Sequence, residues 1–183
     1  MPELPEVEIV KRSLKNKVNH KKIKKIIIKN RNLRFKIQKN FESLLEGRSI
    51  ISVSRFSKYI ILTLDNFNYC LIHLGMSGTL HLIDHKKKEK ISNLSFYHSP
   101  ILPKKHNHIK IKFSNFTIIY NDPRRFGFFK LLNNKKELKK YFQRFGPEAI
   151  SSKFNFEYIK HRLTNKKKNI KNFLLDQNFV SGI

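Results

Sequence analysis

The sequence predicts an α+β fold: an N-terminal helix, then an antiparallel β-sandwich of about eight strands, then flanking C-terminal helices. Three observations predict it. Residues 5–18 place Val7, Val10, Leu14 and Val18 at spacings of three and four, which makes one helical face. Short runs that alternate apolar and polar residues follow, as half-buried antiparallel strands do. From residue 136 the periodicity becomes helical again.

The elements follow in order. Pro5 and Glu6 suit the first turn of the opening helix, where proline loses no hydrogen bond and a carboxylate meets the positive end of the dipole. Strands are expected at residues 24–29, 50–56, 59–64, 69–74, 79–83, 108–113, 116–121 and 128–132. Their close spacing, with turn residues between them, suggests a sandwich or barrel. Residues 84–105, with a lysine run and two prolines, read as a loop. Helices are expected at 136–142, 156–163 and 170–177, with Asn155 as the cap of the second. The chain shows no internal repeat.

Composition narrows the class. A chain of 183 residues, 39% of them hydrophobic, can bury a core, and no apolar run reaches transmembrane length. The opening MPELPEVEIV lacks the basic-then-apolar pattern of a signal peptide, so a cytoplasmic location is expected. Cys70 is alone, which excludes an internal disulfide and a cysteine zinc cluster within this chain. The net charge of +26 attracts polyanions, nucleic acid above all. Lys, Asn, Ile and Phe are all encoded by A/T-rich codons, so drift in base composition inflates the same number.

Two residues at the start carry possible chemistry. Removal of the initiator Met is favoured by a small second residue and would free the secondary amine of Pro2. Such an amine attacks a sugar carbon and yields an iminium that keeps its charge and draws electrons. It must be unprotonated to attack; an α-amino group titrates at about 7.7–8.0, and a helix N-terminus or a nearby lysine lowers that. Glu3 could move protons to the ring oxygen or leaving base. Taken alone, Pro2 is a helix-start residue and Glu3 a helix-dipole residue. Met76, at a glycine-flanked tip, is poorly placed for a core. His73 reads as a hydrogen-bonded core histidine. His106 and His108 alternate as strand ligands could, but no acidic or cysteine partner is near in sequence, so metal binding is set aside.

The strings PELPEVE, SKYIILTL, IHLGMSG and DPRRFG, in this order, resemble the formamidopyrimidine-DNA glycosylase family, and KHNH and NKKKNIKNFLLDQ fall where that family has similar segments. The resemblance runs through essentially the whole chain. The related endonuclease VIII branch typically starts PEGPE and lacks this form of the RRFG loop. The resemblance therefore implies base-excision repair of oxidised purines, 8-oxoguanine and formamidopyrimidines, by a bifunctional glycosylase and abasic-site lyase.

It further implies roles. Pro2 is the Schiff-base nucleophile, Glu3 the general acid/base, Glu6 a supporting carboxylate, and Lys58 a phosphate-side group that assists elimination; outside the SKY context Lys58 is a surface lysine. Met76, Arg124 and Phe126 enter the duplex, with Arg124 on the widowed cytosine and Phe126 prying apart the neighbouring pair. His73, His106 and Lys167 contact DNA. The implied partner is double-stranded DNA with an oxidised purine or abasic site, bound by a monomer, with no membrane. Residues 1–132 correspond to the catalytic sandwich domain and 133–183 to a helical segment leading into a helix–two-turns–helix domain. Full members of the family continue through that domain to a four-cysteine zinc finger, whose ligands this chain lacks, so its residues are expected to bind no metal. With residue 183 as the natural end, glycosylase activity is expected to be strongly reduced or absent. Two alternatives remain: a non-catalytic basic nucleic-acid-binding remnant, and an endonuclease VIII-like glycosylase for oxidised pyrimidines.

Overall fold

A computed structural model describes residues 2–85, 90–95 and 101–183. Helix α1 spans Leu4–Val18 and buries Leu4, Val7, Val10, Leu14 and Val18 on one stripe. Glu3 caps it in an extended conformation, and Lys15 and Lys17 occupy the last turn, where the dipole favours cations. Strands β1 (Lys21–Lys22) and β2 (Lys25–Ile28) lead to a short helix α2 (Phe41–Leu45). Then come β3 (Ser49–Phe56), β4 (Tyr59–Leu64), β5 (Tyr69–His73), β6 (Thr79–Asp84), β7 (Lys90–Asn93), β8 (Asn107–Lys112), β9 (Phe116–Asn121) and β10 (Phe128–Leu132). Helices α3 (Lys135–Phe142), α4 (Phe156–Leu163) and α5 (Ile170–Leu174) close the chain.

The strands form two five-stranded antiparallel sheets, ordered β1-β3-β4-β5-β10 and β2-β8-β9-β6-β7. One core lies between them and under α1, and includes Ile60, Leu62, Leu64, Ile72, Ile109 and Tyr120. The other face of β4 and β5 is also covered: Ile61, Leu71 and Leu132 pack against Leu138, Tyr141 and Phe142 of α3. Burial on both faces explains the nearly unbroken apolar runs of these strands.

The α+β class holds, with ten strands among the described residues in place of about eight. Residues 90–93, expected in a loop, pair with β6 (Ile83 opposite Ile91), so tertiary pairing overrides their polar composition. The remainder of that loop at residues 86–89 and 96–100 lies outside the described residues. Helix α2 was not expected; at five residues it is too short to show a period, yet Phe41 and Leu45 are fully buried. Helix α5 stops at Leu174, short of the expected 177, because a turn closed by Phe179 N–H on Asp176 O takes over. Asn155 caps α4, its side chain accepting the Tyr158 N–H.

Register gathers particular loops at one end of the sandwich. Tyr59, first in β4, pairs with His73, last in β5, which in turn faces Phe128, first in β10. In the other sheet Thr79, first in β6, pairs with Asn121, last in β9, which also faces Asn107 at the start of β8. The short connections β5–β6 and β9–β10 join the sheets at this end. Lys58, residues 74–78, His106 and residues 122–127 therefore emerge together.

Candidate functional site

The N-terminus meets the β3–β4 turn. Lys58 follows Ser57, which has φ +52° in the tight turn, and only 7% of Lys58 is exposed. A lysine is that buried only with a partner. Its Nζ lies 2.6 Å from Glu3 Oε2, so it is an inward-facing cation rather than a surface lysine. The Glu3 side chain is itself about half exposed, so solvent reaches the pair through Glu3, and Pro2 beside it is half-buried. Glu6 accepts the Glu3 backbone N–H at Oε2 (2.9 Å), so its carboxylate fixes the backbone beside Pro2. Met1 lies outside the described residues.

Behind this pair stands Arg55, which sequence reasoning missed. Its Nε donates to Glu8 Oε2 on α1 (2.9 Å), and its Nη1 donates to Ser57 O (2.9 Å) and to Glu148 Oε1. Glu148 also accepts the Ser57 N–H (2.7 Å). One buried guanidinium thus joins α1, the turn that presents Lys58, and the chain beyond α3. Burial acts to raise the Glu8 carboxyl, but hydrogen bonds from Lys11, Arg55 and Arg12 outweigh it and hold the pKa at about 2, against an ordinary 4.5. A carboxyl depressed on folding stabilises fully above its unfolded value and loses that contribution as pH falls through the folded one. Denaturant titrations should therefore show wild type more stable than Glu8→Gln near neutrality, with the gap closing between about pH 5 and pH 2. A gap constant over that range would mean Glu8 acts by packing alone.

At the same end of the sandwich two tips stand side by side. The β5–β6 turn closes with Gly78 N–H on Leu74 O (2.9 Å) and leaves Met76 42% exposed. Gly75 has φ +68°, and a Cβ there would fall 2.4 Å from the Gly127 nitrogen, so the backbones of the two tips touch. On the second tip the Arg124 guanidinium lies 4.7 Å from the centre of the Phe126 ring, which is 43% exposed. Asn32, Leu33, Arg34, Arg124, Arg125 and Phe126 line an open groove of about 630 Å³. Its cations suit a polyanion.

His73 connects the two regions. Its Nδ1 accepts the Gly75 N–H (3.0 Å), and its ring stacks on Phe128. Burial, then the charges of Arg34 and Lys58, push its pKa down to about 4. It is neutral at neutral pH, and because Nδ1 accepts, the proton sits on Nε2. His106 is exposed at φ +65°, and its carbonyl accepts the Asp122 N–H (3.1 Å). Lys167 is exposed on the connection between α4 and α5, so the helical segment carries it and the sandwich end does not.

Among the described residues no group of three or more His, Cys, Asp or Glu side chains is placed to hold a metal. The zinc that the family implies needs four thiolates. Cys70 is the chain's single cysteine and is buried in β5, its thiol pushed up to about 12 by burial, so these residues do not fit that ion. Among the described residues, no helix is long and apolar enough to cross a membrane.

Residues 1–129 match the family model of the formamidopyrimidine-DNA glycosylase N-terminal domain. The chain belongs to the formamidopyrimidine-DNA glycosylase family. Curated relatives of that name include one from Wolbachia sp. subsp. Drosophila simulans, 39% identical over all of this chain and 62% of its own length. Another, from Legionella pneumophila, is 35% identical with the same coverage. Among solved structures, the Lactococcus lactis Fpg in complex with abasic-site DNA superposes with a TM-score of 0.84 at 28% identity, covering all of this chain and 63% of that one. A mutant of the same protein bound to Fapy-dG DNA gives 0.84 at 29%, again over all of this chain and 62% of that one. The chain thus spans about three fifths of the length of its relatives.

Proposed function

We propose that this chain bears the nucleophile of a base-excision repair glycosylase and abasic-site lyase that acts on oxidised purines, 8-oxoguanine and formamidopyrimidines, in double-stranded DNA. The observation that carries the reading is the Glu3–Lys58 pair, one peptide bond from Pro2 and with the Glu3 side chain about half exposed. With Met1 removed, the secondary amine of Pro2 attacks C1′ of an extruded nucleotide; the C1′–base bond breaks, and the base leaves with the electron pair and gains a proton. The Glu3 carboxylate takes the proton that the Pro2 amine loses on bonding to C1′ and passes it to O4′ as the sugar ring opens, which leaves an iminium between Pro2 and C1′. Loss of a C2′ proton then expels the 3′ phosphate, and a second elimination expels the 5′ phosphate. Lys58, buried and paired, offers its cation to the phosphate beside the lesion. Met76, Arg124 and Phe126 refill the stack, which offsets the few kcal/mol that extrusion costs.

Charge, exposed apolar tips and a cationic groove at one end favour DNA as partner. His73 at the sandwich end and Lys167 on the helical segment contact phosphates of the same DNA, which His106 also touches, the catalytic sandwich extends over residues 1–132, and the protein acts as a cytoplasmic monomer. Borohydride reduction of the protein on a duplex containing an abasic site tests the chemistry. A covalent adduct that peptide mapping places on Pro2 is the expected result. No adduct, or one on a lysine, would overturn it. Offering 8-oxoguanine and an oxidised pyrimidine in parallel duplexes separates the purine preference from the endonuclease VIII-like one.

A further inference from the structure

We propose that Asp122 is a positioning residue whose buried carboxylate fastens the Met76 turn and the Arg124–Phe126 tip into a single wedge. The inference rests on the reading that these tips enter a duplex. Asp122 is 0% exposed, and four segments converge on it. Its Oδ1 accepts the Ser77 hydroxyl (2.5 Å), which belongs to the Met76 turn. Its Oδ2 accepts the Gly127 N–H (2.9 Å), at the base of the second tip, and the Tyr120 hydroxyl (2.9 Å), in β9. Its backbone carbonyl accepts the Arg125 N–H (3.2 Å) and is 2.8 Å from His108 Nε2, and its N–H donates to His106 O.

Ser77 closes the circuit. Its Oγ gives its proton to Asp122 and receives the Arg124 N–H (3.2 Å), so one hydroxyl touches both tips. The backbone approach of Gly75 to Phe126 and Gly127 leaves no room for one tip to slide past the other. Tyr120 braces the carboxylate from the core, and its own hydroxyl is held protonated by burial and by Asp122. An unpaired buried carboxylate is costly, so each donor resists being withdrawn alone. A displacement at Met76 is thereby passed to Phe126, and the two side chains advance together.

A double-substitution cycle tests this. The readout is the fluorescence of 2-aminopurine placed beside a tetrahydrofuran abasic analogue in a duplex, which reports unstacking and needs no chemistry at Pro2. Met76→Ala, Phe126→Ala and the pair are measured with Ser77 intact, with Ser77→Ala and with Ser77→Thr. With Ser77 intact the two effects on the unstacking equilibrium are expected to be coupled by roughly tenfold. Ser77→Ala leaves Asp122 and its core bonds in place and is expected to bring the coupling close to none, while Ser77→Thr, which keeps the hydroxyl, restores it. Equal coupling in all three backgrounds, or no unstacking by the wild-type protein, overturns the proposal. A failed borohydride capture with an intact cycle would remove the Pro2 chemistry and leave this wedge standing.

Discussion

Glu3→Gln is expected to slow base release from an 8-oxoguanine duplex by on the order of 10²–10⁴-fold, the span that a positioned proton donor contributes. Borohydride capture of a preformed abasic site is expected to fall far less. The asymmetry follows from where protons are needed. Departure of a base and opening of a closed sugar ring both require a proton at the moment of bond breaking. An abasic sugar has already lost its base and reaches its open aldehyde without help, so the Pro2 amine can attack it unaided. Glutamine keeps the shape of the side chain that meets Lys58 Nζ at 2.6 Å but stores no transferable proton. It also leaves a buried ammonium without its counter-charge. Because Glu3 is about half exposed, that costs about 1 kcal/mol, at the lower end for a lost charged partner. Single-turnover base release, borohydride capture and a thermal melt on one preparation check all three statements. Equal losses in release and capture would mean that Glu3 only holds Lys58.

How much of this was legible in the sequence depended on range. Helix α1 could be read because its stripe from Val7 to Val18 is a local period. Strands β4 and β5 could be read as short, largely aliphatic runs set off by turn residues. The short β7 and α2 could not, since a strand of four residues and a helix of five carry no period and owe their form to partners elsewhere. The site divides the same way. Pro2, Glu3, Lys58, Met76, Arg124 and Phe126 sit in strings that stand out as strings. What arranges them does not. Asp122 reads as an ordinary turn residue ahead of Pro123, and nothing local says that its carboxylate is buried or that Ser77, a neighbour only through the pairing of β6 with β9, donates to it. Glu8 looks like one more charge on the exposed side of a helix until Arg55 is brought to it from 47 residues away. Arg34 offered no signal; it matters because a loop after β2 carries it to the tip residue Gly127. Side chains carried by distinctive strings were visible, and side chains placed by contacts across the fold were not.

Arg55 shows what that second group is worth. Arg55→Ala is expected to destabilise the protein by about 3 kcal/mol, near the lower end for removing one member of a buried charged network. The lower end applies because Glu8 keeps Lys11 and Arg12, and Glu148 keeps the Ser57 N–H. In a chain of this size that corresponds to a fall in melting temperature of roughly 6–12 °C. The substitution also frees the Ser57 carbonyl and unlinks α1 from the β3–β4 turn. Pro2 and Glu3 ride on the start of α1, while Lys58 rides on that turn. The loss should therefore appear as weaker capture of abasic-site DNA at temperatures where the variant is fully folded, although the Arg55 side chain is almost wholly buried in its ion pairs. Small errors in placement are enough, because a reacting pair that is slightly misaligned forfeits much of the advantage of proximity. Arg55→Lys separates the two effects. It keeps a cation near Glu8 and Glu148 and recovers part of the stability, but a single ammonium cannot reach Glu8, Glu148 and the Ser57 carbonyl in the planar fork of a guanidinium. Capture should stay low while melting recovers. Recovery of both in step would mean that Arg55 supplies charge balance alone and does not set the distance between the nucleophile and its lysine.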